Sequence, residues 1–155
     1  VPDPVVSNTT PTLAGDGMLG LLSSLYTEVW IPPEVQAEYQ NGIRPGEPDL
    51  VTLAWIKIHL IQADPALAQR LDAGEAAAPS LALSSHARLV LVDERNARRV
   101  ATSLGRAITG SLSVLIEAKK LGHIAQVAPI VDRMIAQGRR FSARLRAAVL
   151  NEAGE

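Results

Sequence analysis

The chain has no cysteine at all. That excludes a disulfide scaffold and a thiolate zinc site, and it fits a reducing compartment. Aromatic residues are also few: two Trp, two Tyr and one Phe. The core must therefore be aliphatic. No apolar run approaches the length that spans a bilayer, and no charged-then-apolar leader stands ahead of Val5. There is no internal repeat, low-complexity tract or linker. The loosest stretch, Asn41 to Asp49, holds two glycines and two prolines and reads as a surface loop. What remains is 155 residues, 47% apolar, enough for one domain with a proper core and too apolar for disorder.

Charge is scarce only in sum. The net charge is −1. Residues 1 to 87 carry three bases against ten acids, a balance of −7, and residues 88 to 155 carry twelve bases against six acids, a balance of +6. One reading is a molecule that holds metal in one region and draws a polyanion to another. The other is that solvated helix faces simply differ in sign.

Short apolar runs mark strands at Val5–Ser7, Glu28–Ile31, Trp55–Ile58, Leu89–Val92 and Ala107–Ile108. The fourth is wholly apolar, as a strand covered on both faces would be. Between the runs lie helical patterns: Leu13 to Leu25, Pro33 to Tyr39, Ala76 to His86, Arg95 to Leu104 and Ser111 to Leu121. Val127 to Ala148 reads as two further helices broken at Gly138. Ala97, Val100, Ala101 and Leu104 recur at helical spacing before Gly105, and Ser111 is a candidate cap. Strands alternating with helices predict crossover units and a parallel sheet of four or five strands in a three-layer α/β/α fold, with strand one central.

In such sheets, sites form outside the carboxyl ends of the strands. Strand one runs into Ser7, Asn8, Thr9 and Thr10, strand four into Asp93, and strand five into Thr109, Gly110 and Ser111. Helices at Glu38 and Glu75 have the means to point two more carboxylates inward. Carboxylates gathered in this way repel one another, so without a cation their pKa values rise. Oxygen ligands of this kind select Mg²⁺ or Mn²⁺. Each residue also has an ordinary structural use. Asp93 suits the N-cap of the next helix, Glu75 a helix start, Glu38 a helix surface, and Asn8 a turn. His59, His86 and His123 share no spacing with carboxylates and read as structural or surface residues. Arg95, Arg98 and Arg99 suit either RNA phosphates or the solvent face of an amphipathic helix.

The order of these segments resembles the PIN domain, a family of small metal-dependent ribonucleases that includes many bacterial and archaeal toxins. The closer resemblance is to its branch called domain of unknown function 3368. It is carried by "VVSNTTPT", "EVWIPPEVQAEY", "GEAAAPSLAL", "LVLVDERNARRVA" and "ITGSLSVLIEAKKLGHI". The resemblance implies a Rossmann-like fold over residues 1–155, with helices 125–153 as an extension of the same domain. It implies Asn8, Glu38, Glu75 and Asp93 as ligands of Mg²⁺ or Mn²⁺ and as the catalytic set, with Thr9 and Ser111 orienting metal-bound water. It further implies a cytoplasmic homodimer that cleaves RNA as the toxin of a pair with an antitoxin protein. Two positions depart from the pattern. Asn8 stands where most PIN domains have Asp, which removes one negative charge and weakens metal binding. Pro79 lacks the N–H that the carbonyl of Glu75 would receive. The rival expectation is a PIN-like module that binds RNA or protein without cleaving it.

Overall fold

A computed structural model describes residues 5–7, 18–105 and 107–155. The elements run β1 (Val5–Ser7), α1 (Leu19–Leu25), β2 (Val29–Ile31), α2 (Pro33–Gly42), β3 (Ile56–Ile58), α3 (Pro65–Ala68), α4 (Ala73–Ser85), β4 (Leu89–Leu91) and α5 (Arg95–Ser103). β5 (Ile108–Thr109), α6 (Ser111–Lys120), α7 (Ala128–Ala136) and α8 (Ala143–Glu152) complete the chain. The five strands form one parallel sheet in the order β3-β2-β1-β4-β5. The strand at its centre is β1, as the polar residues after it predict.

Every strand is very short, and side-chain alternation sorts it between two cores. Val5, Val29, Ile31 and Leu91 face α1, α6, α7 and α8, where they meet Leu22, Leu115, Met134 and Val149. Val6, Val90 and Val92 face the other way, onto Ala76, Ala78 and Leu81 of α4 and Ala97 and Val100 of α5. Both faces are thus covered, and the architecture is three-layer α/β/α. The small alanines of α4 let that helix approach the sheet closely.

Boundaries differ from the sequence expectation in instructive ways. The helix expected from Leu13 is described only over Leu19–Leu25, and its beginning lies outside the described residues. The helix expected at Ala76 starts at Ala73, because Asp72 caps it by accepting the N–H of Glu75 at 2.8 Å. Pro79 consequently lies inside the helix rather than in its first turn. The cap expected at Asp93 belongs to Glu94, whose carboxylate accepts the N–H groups of Asn96 and Ala97. Ser111 is the first residue of α6, after a cap position held by Gly110. The short α3 has no sequence signature beyond Asp64 before Pro65. Its Asp64 accepts the N–H groups of Ala66 and Leu67.

The two last helices are tied back to the body. The Glu155 carboxylate accepts the N–H groups of Val127 and Ala128 at 2.7 and 3.0 Å and pairs with Lys119 at 3.0 Å. Those backbone donors, aided by Lys119, hold its pKa down to about 2. Among the described residues, no helix is long and apolar enough to cross a membrane.

Leu91 is fully buried on β4. Leu91→Ala is expected to cost about 2–5 kcal/mol of stability, measured by denaturant unfolding, as for other large-to-small core changes.

Candidate functional site

The chain leaves β1 for β2 and β3 on one side of the sheet, then crosses to β4 and β5 on the other. The reversal lies between β1 and β4. In open parallel sheets, sites form outside the carboxyl ends of the strands at such a reversal. On the β4 side, Val92 and Asp93 stand at this edge. The residues that follow Ser7, including Asn8 and Thr9, lie outside the described residues.

The fixed point of this edge is Asp93. Its Oδ1 accepts the Ser111 N–H at 2.8 Å, and its Oδ2 accepts the Ser111 hydroxyl at 2.5 Å. Ser111 is fully buried and opens α6, a helix of ten residues, so the carboxylate also meets the positive end of the helix dipole. This explains why Asp93 does not cap its own helix: it is drawn across to the next one, and Glu94 takes the vacated role. Behind the carboxylate, Arg98 donates from Nη1 to the Val92 carbonyl at 2.7 Å. Gly110 lies between them. A Cβ there would fall 2.7 Å from Arg98 Nη1 and 2.8 Å from Asp93 Oδ1. Glycine is required here by that close approach, since the backbone itself is ordinary extended chain.

The other candidates are placed less closely. Glu75 sits in the first turn of α4. A hydrogen bond with Asp72 raises its pKa above 4.5, aided by partial burial and by the charges of Asp72 and Glu94. The crowding anticipated for the acids therefore exists at Glu75, and it comes from Asp72 and Glu94. Glu38 is exposed on α2. Among the described residues, no three Asp, Glu or His side chains stand close enough together to hold a metal ion, so Glu38, Glu75 and Asp93 form no such group. Arg95 and Arg99 are exposed on α5, while Arg98 is half-buried and bound to Val92. Of the histidines, His59 stacks on Trp30 with centroids 3.8 Å apart, and His86 ends α4 in the left-handed conformation.

Two residues near Asp93 escaped sequence reasoning. The loop between α7 and α8 brings Arg139 to 3.6 Å from Asp93 Oδ2, with its guanidinium 5.4 Å from the centre of the Phe141 ring. Both line a pocket of about 400 Å³ that opens beside Asp93 and Gly110, with Leu145 and Val149 on its apolar wall. Only the isolated Phe in an aromatic-poor chain hinted at this place.

Gly110→Ala is expected to break the Asp93 and Arg98 contacts and lower stability by about 1–3 kcal/mol, read from denaturant unfolding, as overpacking does. The raised Glu75 binds its proton more tightly in the folded state than in the unfolded one. Its ionisation therefore opposes folding: stability falls as pH climbs from its usual value through the raised one. Glu75→Gln is expected to remove that decline, read from thermal melts as pH rises from about 4.

No curated protein and no solved structure matches the chain. The model of the family described as PIN domain, in the branch called domain of unknown function 3368, matches residues 4–155. With nearly the whole length covered and the parallel sheet in place, the chain belongs to the PIN-domain family.

Proposed function

We propose that this protein is a metal-dependent endoribonuclease, a toxin-like member of a toxin–antitoxin pair. PIN domains are nuclease-type folds that generally depend on a divalent metal. The observation that carries the reading to this chain is Asp93. It follows β4, the strand beside β1, with both oxygens oriented by Ser111. A carboxylate so fixed offers its remaining lone pairs in one direction.

The donor set fits a hard cation, since every candidate ligand is an oxygen. Asn8, Glu38, Glu75 and Asp93 would hold Mg²⁺ or Mn²⁺. Such an ion supplies an acidified water and neutralises charge on the phosphate. This chain's own residues do the rest. Ser111 holds Asp93 in one orientation. The hydrogen bond with Asp72 raises the Glu75 pKa, and an incoming cation would favour its ionised form. Arg95, Arg98 and Arg99 would meet the RNA backbone. Residues 1–155 would act as one cytoplasmic domain that includes the helices of 125–153. Exposed Leu121 and Ile135 supply apolar surface for a homodimer or an antitoxin.

One observation favours a second reading, a PIN-like module that binds RNA or protein without cleaving it. The described acidic residues do not converge.

An RNase assay with Mn²⁺ or Mg²⁺ separates the two. Cleavage is expected to stop in chelator and to fall roughly 10²–10³-fold or more in Asp93→Asn, the loss typical of one preorganised polar group. Asn8→Asp is expected to tighten metal binding and Asn8→Ala to weaken it. Cleavage that persists in chelator, or in Asp93→Asn, overturns the metal-dependent ribonuclease reading.

A further inference from the structure

We propose that the pocket beside Asp93 is a nucleotide subsite. It takes one unit of single-stranded RNA, with the base on Phe141 and the phosphate on Arg139. This rests on the reading of the protein as an RNA-binding nuclease and adds where the strand sits.

The pocket combines two unlike walls. One is apolar, formed by Leu112, Leu145 and Val149 with the ring of Phe141. The other is cationic, formed by Arg98 and Arg139. A ligand that suits both must be flat and apolar at one end and anionic at the other, which describes a nucleotide. The volume, about 400 Å³, lies within the ~300–1,000 Å³ of ordinary ligand sites. Base stacking on an aromatic side chain and a cation on the backbone are the two devices by which single strands are held.

Arg139 has donors left for an incoming anion. Its contact with Asp93 is 3.6 Å, well beyond the ~2.7–2.9 Å of a charge-assisted hydrogen bond. Asp93 and Glu152 also line the pocket and repel phosphate from their own sides. The phosphate is thereby confined to Arg139 and still lies next to Asp93. The local charge agrees, since residues 88 to 155 carry a balance of +6. Arg139 is a positioning residue in this scheme. It brings the backbone to the carboxylate and takes no part in bond breaking.

The test is binding in EDTA, where cleavage is silent. A fluorescein-labelled oligoadenylate RNA of about ten nucleotides, a length near one single-strand site, is titrated with wild-type protein, Phe141→Leu, Arg139→Gln and Arg139→Lys. Phe141→Leu keeps the apolar bulk and loses the ring; it is expected to weaken binding roughly tenfold, as loss of one stacked base does. Arg139→Gln is expected to weaken binding and lower the salt slope by about 1, and Arg139→Lys to restore the slope. Circular dichroism establishes that each variant is folded, and the Arg139→Gln and Arg139→Lys pair carries the test if Phe141→Leu is not. If wild type binds and all folded variants bind equally, RNA lies elsewhere and the subsite is wrong, while the ribonuclease reading stands. If wild type does not bind at all, the subsite is equally overturned, and the cleavage assay alone decides the nuclease.

Discussion

A parallel sheet of two- and three-residue strands leaves almost no backbone to spare, and each strand must be covered on both faces to survive. That constraint governs the rest of the molecule. Val5 and Val6 are neighbours in sequence, yet they feed opposite cores. With so little strand, the chain begins its functional turns as soon as it leaves the sheet. Asp93 follows β4 after a single residue, and Ser111 follows β5 after a single glycine. The hydrogen bonds between them are thus both structural and chemical. They staple two adjacent strand exits and, in doing so, aim a carboxylate.

The same economy explains the small residues around the site. Gly110 exists because Asp93 and Arg98 close in on it from two sides. Arg98 resembles a surface arginine in sequence, but it spends one donor on the carbonyl of Val92 and stiffens the β4 exit. The three arginines of α5 therefore do not form a uniform basic face. Two are open to solvent, and one is part of the scaffold.

Much of the fold could be read from the sequence, because its cues are local. The apolar runs marked all five strands, and glycines closed the helices at Gly105, Gly122 and Gly138 with the positive φ that such ends adopt. Asp93 and Ser111 were legible as strand-exit residues. Their pairing was not, because a carboxylate followed by Glu94 offers two candidate caps, and only the tertiary pull of Ser111 decides between them. Arg139 and Phe141 were not legible at all. They reach the site from a loop far along the chain, and no periodicity records where a returning loop will land. Glu38 stands exposed on α2 despite fitting a family position. A spacing rule fixes the helix that carries a residue more readily than the direction of its side chain.

The distance along the chain between Asp93 and Arg139 has a consequence in time. Contacts of long sequence separation carry a larger loop-closure cost, and this one also needs the segment that joins the last two helices. A ribosome releases the five strands and α6 before α7 and α8 exist. Val131, Met134 and Val149 of those helices also cover one face of the sheet, so that core and the Arg139–Phe141 wall are completed together. Completion of the pocket is timed to the docking of the last helices. A chain that stops short of them lacks both.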